Sequence, residues 1–432
     1  MSPLDRPPMG WNSWDCFGTT VTEEEVLANA RIMRDRLASF GWNTVVVDIA
    51  WYDPTARAHG YNDDAPITLD PWGRQLPAPN RFPSAASGEG FGALATQIHD
   101  MGLRFGLHIM RGIPRRAVEL DLPVFGTEFT ASQIADRSRV CAWNPDNYGL
   151  DHRHPGAQAF YDGQVAQFAR WGVDFIKADD MQAPFYEDEI AAYALAIRRS
   201  GRDIVLSLSP GTGLSTRHLD TLREHADMWR ISDDLWDRWD DVHAQFARLA
   251  RWAPFQDAGG WADADMLPVG RIGIRAERGE PRESRLTLDE QKTMLTLWTM
   301  GRSPLMLGGD LASSGHDSVR LLQHDAFNEV LSFSRDNAEL IREPEGDGEV
   351  IVWGARSVAD ADGYVAVFYT GSGERDVEVP VSSLFGDGEP APRILTDLWD
   401  EAPPLELAAG DPVQVSVPSH GVRWLRVTPS NR

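Results

Sequence analysis

In the stretch VDFIKADDM an apolar run, Val173 to Ile176, stops abruptly at Lys177, Asp179 and Asp180. Packing alone gives a strand no reason to end in a cation and two carboxylates, each costly to bury unpaired. The stretch DMWRISDDLWD repeats the pattern with Arg230, Asp233 and Asp234. Other apolar runs are also followed by polar side chains: Trp14 and Asp15, Asp48, His108 and Arg111, and Asp257. Two carboxylates gathered with a lysine and an arginine fit glycoside hydrolysis. One attacks or steadies the anomeric carbon and the other protonates the leaving oxygen. Lys177 beside Asp179 would help to keep that carboxylate ionised, as a nucleophile must be. Asp234 must instead hold a proton near neutral pH, for which Asp233, Trp229 and Trp236 could supply acidic or apolar surroundings.

The same residue types serve other ends. Carboxylates on successive strands hold divalent cations in some hydrolases and enolase-like enzymes. Here no H-E-x-x-H motif occurs, no H-x-H stands at a strand end, and histidines are sparse near those ends. A sugar-binding protein without catalysis would need no paired acid and nucleophile. Taken singly, Asp48 reads equally as a loop cap, and Asp15, Asp180 and Asp233 as helix caps or acceptors behind a site. His108, flanked by apolar residues, reads as a packed core histidine, and Cys16 as a packed small residue.

Such side chains meet only if the strands carrying them end at one place. From residue 10 to about 330, short apolar runs alternate with amphipathic stretches. TEEEVLANARIMRDRLASFG opens with Thr22 and Glu25 in capping-box spacing, sets Val26, Met33 and Leu37 on one face and stops at Gly41. WNTVVVDIAW follows as a β-branched run. The rhythm continues through GLRFGLHIM, GVDFIKADD, RDIVLSLSPG, DMWRISDD, APFQDAGG and RSPLMLGG, and Thr287 with Glu290 forms a second capping box. With MGWNSW as the first strand, about eight strand and helix units span roughly 320 residues, the size of a (β/α)8 TIM barrel whose strand ends converge on one mouth. A doubly wound sheet is the rival, but no glycine-rich phosphate loop follows an early strand. The stretch 53–86, rich in Pro, Gly and Asp, reads as a long surface loop. Near 340 helices disappear and six short strands follow between turns, an antiparallel β-sandwich. The expected division is a catalytic barrel over 1–335 and a C-terminal β-sandwich over 336–432.

The chain has 432 residues, and 65 acidic against 41 basic side chains give a net charge of −24, which argues against nucleic acid or anionic membranes as partners. Cys16 and Cys141 are too few for a disulfide framework and neither sits in a paired metal motif. No signal-like start and no run of about 18 apolar residues occurs, so a cytoplasmic place is the default expectation. A homo-oligomer is left open.

Taken together, PPMGWNSWDCFG, DIAWYD, FGLHIMRGIPR, GVDFIKADD, MWRISDDLWD, GGWADADML and RSPLMLGGDL resemble, in order, glycoside hydrolase family 27, the α-galactosidases and their relatives. The resemblance implies a retaining double displacement with Asp179 as nucleophile and Asp234 as acid/base, the two carboxyls about 5 to 5.5 Å apart. It further implies that Lys177 binds ring hydroxyls, Arg230 the 2-hydroxyl side, Asp48 the axial 4-hydroxyl and Trp14 the apolar sugar face, with a carbohydrate as partner and no cofactor or metal. Two departures refine it. Family α-galactosidases carry two adjacent acidic residues before C-W on the second strand, and the second helps to bind the hydroxymethyl of galactose; here Ile49 stands in that place. Burying that hydroxyl unpaired would cost about 1 to 3 kcal/mol. β-L-Arabinopyranose has the galactose ring stereochemistry without the hydroxymethyl, so the chain resembles the family's bacterial β-L-arabinopyranosidase branch, with side activity on α-D-galactopyranosides. Where the α-galactosidases have C-E-W near the 2-hydroxyl, this chain has Ser209, Pro210 and Gly211. An α-galactosidase ranks second, and an α-N-acetylgalactosaminidase, for which those small residues would make room, third.

Overall fold

The protein is described here by a computed structural model over residues 5–256, 259–358, 362–380, 391–400 and 402–430. Eight parallel strands carry the first part of the chain: β1 (Met9–Asn12), β2 (Thr44–Val47), β3 (Arg104–Met110), β4 (Phe175–Asp179), β5 (Val205–Leu208), β6 (Met228–Arg230), β7 (Trp261–Asp263) and β8 (Leu305–Leu307). They pair in the order β7-β6-β5-β4-β3-β2-β1-β8, with Gly10 opposite Thr44 and His108 opposite Lys177. The sheet curls until its edges meet just beyond β7. There the Leu267 amide donates to the Met306 carbonyl at 2.8 Å and the Gly308 amide donates to the Leu267 carbonyl at 2.9 Å. With helices packed outside, this is the TIM barrel that the sequence rhythm predicts, and the strand C-termini share one mouth.

Local chemistry sets the helix ends. Thr22 accepts the Glu25 amide while Glu25 accepts the Thr22 amide at 3.0 Å, opening the helix Glu23–Ile32. A wider turn extends it, and it stops at Gly41, where φ of 100° suits a residue without a Cβ. The same reciprocal bonds join Thr287 and Glu290 at the start of Leu288–Met300. Val26, Met33 and Leu37 are all buried, as their spacing predicts.

The seventh strand departs from expectation. APFQDAGG reads as a strand, yet Ala253–Phe255 is a short 3-10 helix continuing the helix Trp239–Trp252, and β7 begins only at Trp261. Pro254 at the start of that turn fits a helical first turn, where its missing N–H costs nothing. Gln256 then ties the turn down by donating to the carbonyls of Ala262 and Gly301. Asp257 lies outside the described residues, and the carboxylates that β7 delivers are Asp263 and Asp265. A second unforeseen feature is the excursion between β3 and β4, where Ile113–Pro114, Ala135–Val140 and Asn147–Leu150 form a small sheet over the rim.

Beyond the barrel, a six-stranded antiparallel sheet runs in the spatial order Ser334–Glu345, Gly348–Ser357, Gly363–Tyr369, Val422–Pro429, Arg393–Asp397, Leu405–Leu407. A two-stranded ribbon, Arg375–Val379 with Val413–Val417, covers one face over a core that includes Val352, Val365, Val377 and Val413. This is the anticipated sandwich. Its other side meets the barrel through the flat stack of His420 on Trp239, 4.1 Å between rings, while His420 Nδ1 lies 2.7 Å from Glu290. No helix among the described residues is long and apolar enough to cross a membrane.

Candidate active site

A cavity of about 350 Å³ opens at the barrel mouth, and its wall includes Trp14, Asp48, Ile49, His108, Lys177, Asp179, Ser209 and Asp234. These come from β1 through β6, so parallel strands bring together residues up to 220 positions apart, from Trp14 to Asp234. Arg230 is drawn in differently. It stands behind Asp234 instead of on the wall, with Nη2 donating to Asp234 Oδ1 at 3.1 Å and Nη1 2.7 Å from Asp265.

Asp48 is almost fully buried and densely held. Its Oδ2 accepts Lys177 Nζ at 2.9 Å and Asn12 Nδ2 at 2.7 Å, and Oδ1 accepts the Ile49 amide at 2.8 Å. Burial opposes its ionisation, but the Lys177 ammonium outweighs this, helped by His108 and the amide, and holds the carboxyl below its ordinary range. Lys177 is held charged in turn: burial works against the ammonium, and Asp48 and then Asp179 outweigh it. A fixed cation and a fixed anion side by side form an acceptor and donor pair for vicinal hydroxyls.

Asp179 closes β4. His108 Nε2 lies 3.0 Å from its Oδ2, and the Asp180 amide donates to Oδ1 at 2.8 Å. Burial pushes this carboxyl up, yet the His108 hydrogen bond and charge, followed by Lys177, bring it below the usual value, so it is ionised near neutrality. His108 is thus no satisfied core histidine. Its ring lines the cavity, and its Nδ1 has no hydrogen-bond partner among the described residues. Apolar neighbours in FGLHIM point to a core position because alternate residues of β3 face the helices. The intervening ones face the barrel axis, where His108 meets Asp179.

Asp180 turns away from the cavity. Its φ of 59° is left-handed, and Arg111 grips it with Nε on its carbonyl at 2.9 Å and Nη2 2.7 Å from its carboxylate. Burial pushes this carboxyl up to about 6 despite Arg111. Asp15 lies beneath the mouth, raised well above the ordinary value by burial and then by the charges of Asp265 and Asp234. Gly308 is where it fits: a Cβ there would stand 1.9 Å from Asp15 Oδ2.

The surroundings of Asp234 differ from expectation. Trp229 is fully buried and packs against Trp252 in the outer layer, so it offers Asp234 no apolar wall. A guanidinium faces Asp234 instead, and Asp265 draws on its other end. Burial, before any neighbouring charge, pushes Asp265 up. Ile49 is 2% exposed and sits with Trp14, Val46 and Met110 in one apolar cluster on the cavity side. The Ser209 Oγ is buried with no partner among the described residues. Asn12, Tyr61, Trp143, Thr212, Glu277, Arg278 and Asp265 escape the sequence reading. Signals existed for three of them: Tyr61 lies in the long loop 53–86, Asn12 in PPMGWNSWDCFG and Asp265 in GGWADADML.

Residues 149–332 match a family model described as alpha galactosidase A. The α-galactosidase mel1 of Schizosaccharomyces pombe is 26% identical over 98% of this chain and 88% of its own. A GH27 β-L-arabinopyranosidase from Geobacillus stearothermophilus superposes with a TM-score of 0.93 at 42% identity, covering 99% of this chain and 97% of that one. The fold is shared further with α-galactosidase I from Mortierella vinacea, at 20% identity and a TM-score of 0.73, covering 99% and 98%.

Proposed function

Since this chain belongs to glycoside hydrolase family 27 and is a glycosidase, we propose that it is a retaining exo-glycosidase acting on terminal β-L-arabinopyranosides, with side activity on α-D-galactopyranosides. In this reading Asp179 attacks C1 of the bound sugar while Asp234 gives its proton to the glycosidic oxygen, and the C1–O bond breaks. A glycosyl ester on Asp179 remains. Asp234, now a carboxylate, takes a proton from water, whose oxygen displaces Asp179 from C1 and restores both groups. His108 Nε2 and the Asp180 amide hold the nucleophile's two oxygens, so the carboxylate arrives ionised and oriented. Arg230 shares its charge between Asp234 and Asp265, which steadies Asp234 when it is anionic.

Asp48 and Lys177 take ring hydroxyls, Asp48 the axial one. Trp14 covers the apolar sugar face, and the unpartnered Ser209 Oγ, with Arg230 behind, serves the 2-hydroxyl side. The observation that carries the choice of sugar is Ile49, buried on the cavity wall immediately after Asp48; an aliphatic side chain there suits a C5 without substituent and offers a hydroxymethyl no acceptor. The likeness to the Geobacillus enzyme supports the same choice. An α-galactosidase is the second reading, favoured by the names of relatives such as mel1. An α-N-acetylgalactosaminidase comes third, because its substrate keeps the hydroxymethyl.

The test is kcat/KM on p-nitrophenyl β-L-arabinopyranoside and p-nitrophenyl α-D-galactopyranoside, in the natural protein and in Ile49→Asp. The expected result is a preference for the arabinopyranoside that moves about 10- to 100-fold towards the galactoside in the variant. Galactoside-leaning rates in both proteins would overturn the arabinopyranosidase reading and leave the α-galactosidase.

A further inference from the structure

We propose that the catalytic cavity continues outward into a second sugar subsite, walled by Tyr61 and Trp143 together with Glu277 and Arg278, which holds a pyranose ring attached through the scissile oxygen. This deepens the glycosidase reading and is independent of which terminal sugar occupies the inner pocket.

Three aromatic rings lead from the cavity floor to solvent. Trp14, 6% exposed, stacks on Tyr61 at 5.9 Å and 20°, and Tyr61 leans on Trp143 at 5.7 Å and 49°. Trp143 is 40% exposed and still lines the cavity. Another exposed pair of rings on this protein is accounted for differently: Trp72 and Phe125 meet edge to face at 5.1 Å and both cover the Arg74 guanidinium. Among the described residues no guanidinium lies against Trp143, and its wet face continues the apolar surface that begins at Trp14.

The segments carrying this wall are tied down. His59 Nδ1 lies 2.8 Å from the Ala276 carbonyl, which joins the loop bearing Tyr61 to the loop that bears Glu277 and Arg278 between the short antiparallel strands Arg271–Ile272 and Arg282–Glu283. The Arg57 guanidinium donates to the Tyr61 carbonyl at 2.9 Å. Just beyond Trp143, Asn144 accepts the Asp146 amide at 2.9 Å and Asp146 accepts the Tyr52 hydroxyl at 2.7 Å. The aromatic wall and the charged wall therefore stand in fixed relation on the same cavity as Asp234, whose side chain is 39% exposed towards it. The leaving group of a glycosidase must lie beside its proton donor. A pyranose fits these walls because it presents a C–H face, which an aromatic ring covers, and a rim of hydroxyls, which Glu277 accepts from and Arg278 donates to.

The experiment uses two substrates with the same terminal sugar, whichever of arabinopyranose and galactopyranose the enzyme accepts. One carries a methyl aglycone and the other a second pyranose. Trp143→Ala is expected to lower kcat/KM on the disaccharide about tenfold more than on the methyl glycoside, chiefly through KM. Glu277→Gln with Arg278→Ala is expected to show the same selectivity at about threefold. Equal losses on both substrates with an unchanged melting temperature, or no loss on either, would overturn the proposal. Failure on arabinopyranosides alone overturns the choice of terminal sugar and leaves this test to be read on the galactosyl pair.

Discussion

The barrel mouth and a groove in the C-terminal sandwich are both lined by carboxylates, and they have little else in common. In the C-terminal sandwich, Glu343, Glu345, Asp376 and Glu378 border a groove floored by Ile341, Val350 and Val377. All four acids stand exposed. Their ion pairs are surface pairs, such as Arg375 with Glu345 at 3.3 Å. At the barrel mouth Asp48, Asp179 and Asp265 are buried or nearly so, and each is met by a cation or a histidine within 3.0 Å. Antiparallel strands spread their acids along both faces into water, whereas parallel strands deliver theirs to one end. Confinement then forces pairing, because a buried charge without a partner is prohibitively costly.

The difference is sharpest in turnover. Asp179→Asn is expected to lower kcat on the order of 10⁴-fold or more in steady-state assays while the far-UV spectrum stays native. Glu378→Gln in the sandwich groove should leave kcat within assay error. A large effect from the latter would make the two clefts equivalent.

Stability comes next. Lys177→Met strands Asp48 without its ammonium and is expected to cost about 3 to 5 kcal/mol in urea unfolding. Arg375→Ala breaks an exposed pair and is expected to cost less than about 1 kcal/mol. Similar small losses would mean that water reaches the mouth as freely as the groove.

The finest distinction concerns pH. The hydrogen bond and charge of His108 help hold Asp179 below its ordinary value, so His108→Phe leaves burial to push that carboxyl upward. If Asp179 is the nucleophile proposed above, activity is lost as pH falls through that value, so the acid limb of kcat/KM should move to higher pH. At the optimum the loss is expected to be about 10- to 100-fold. An unmoved acid limb would show that Lys177 and the Asp180 amide suffice.

Much of the mouth can be read in the sequence, and the reason is geometric. In a parallel barrel, a polar residue directly after an apolar run must arrive at the mouth, so Asp48, Lys177, Asp179 and Asp234 announce themselves. Residues that arrive by loops carry no such mark. Tyr61, Trp143 and Glu277 come from segments whose path depends on contacts such as that of His59 with Ala276. The seventh strand hides for another reason: WAD is only three residues long and follows a run, APFQ, of similar polarity that Pro254 commits to a helical turn. His108 is in plain sight but ambiguous, since an apolar frame surrounds core and axis-facing residues of a strand alike.

The meeting of β7 and β8 has a consequence of its own. Seven of the eight joints are runs of paired residues, while this one rests on Leu267 and its two backbone bonds. A cylinder with one thin seam opens there first when warmed, so proton exchange at Leu267 and Gly308 should outpace exchange at β3 and β4. Asp263 and Asp265 stand beside that seam. Loss of activity on warming is therefore expected to precede the unfolding of the rest of the cylinder.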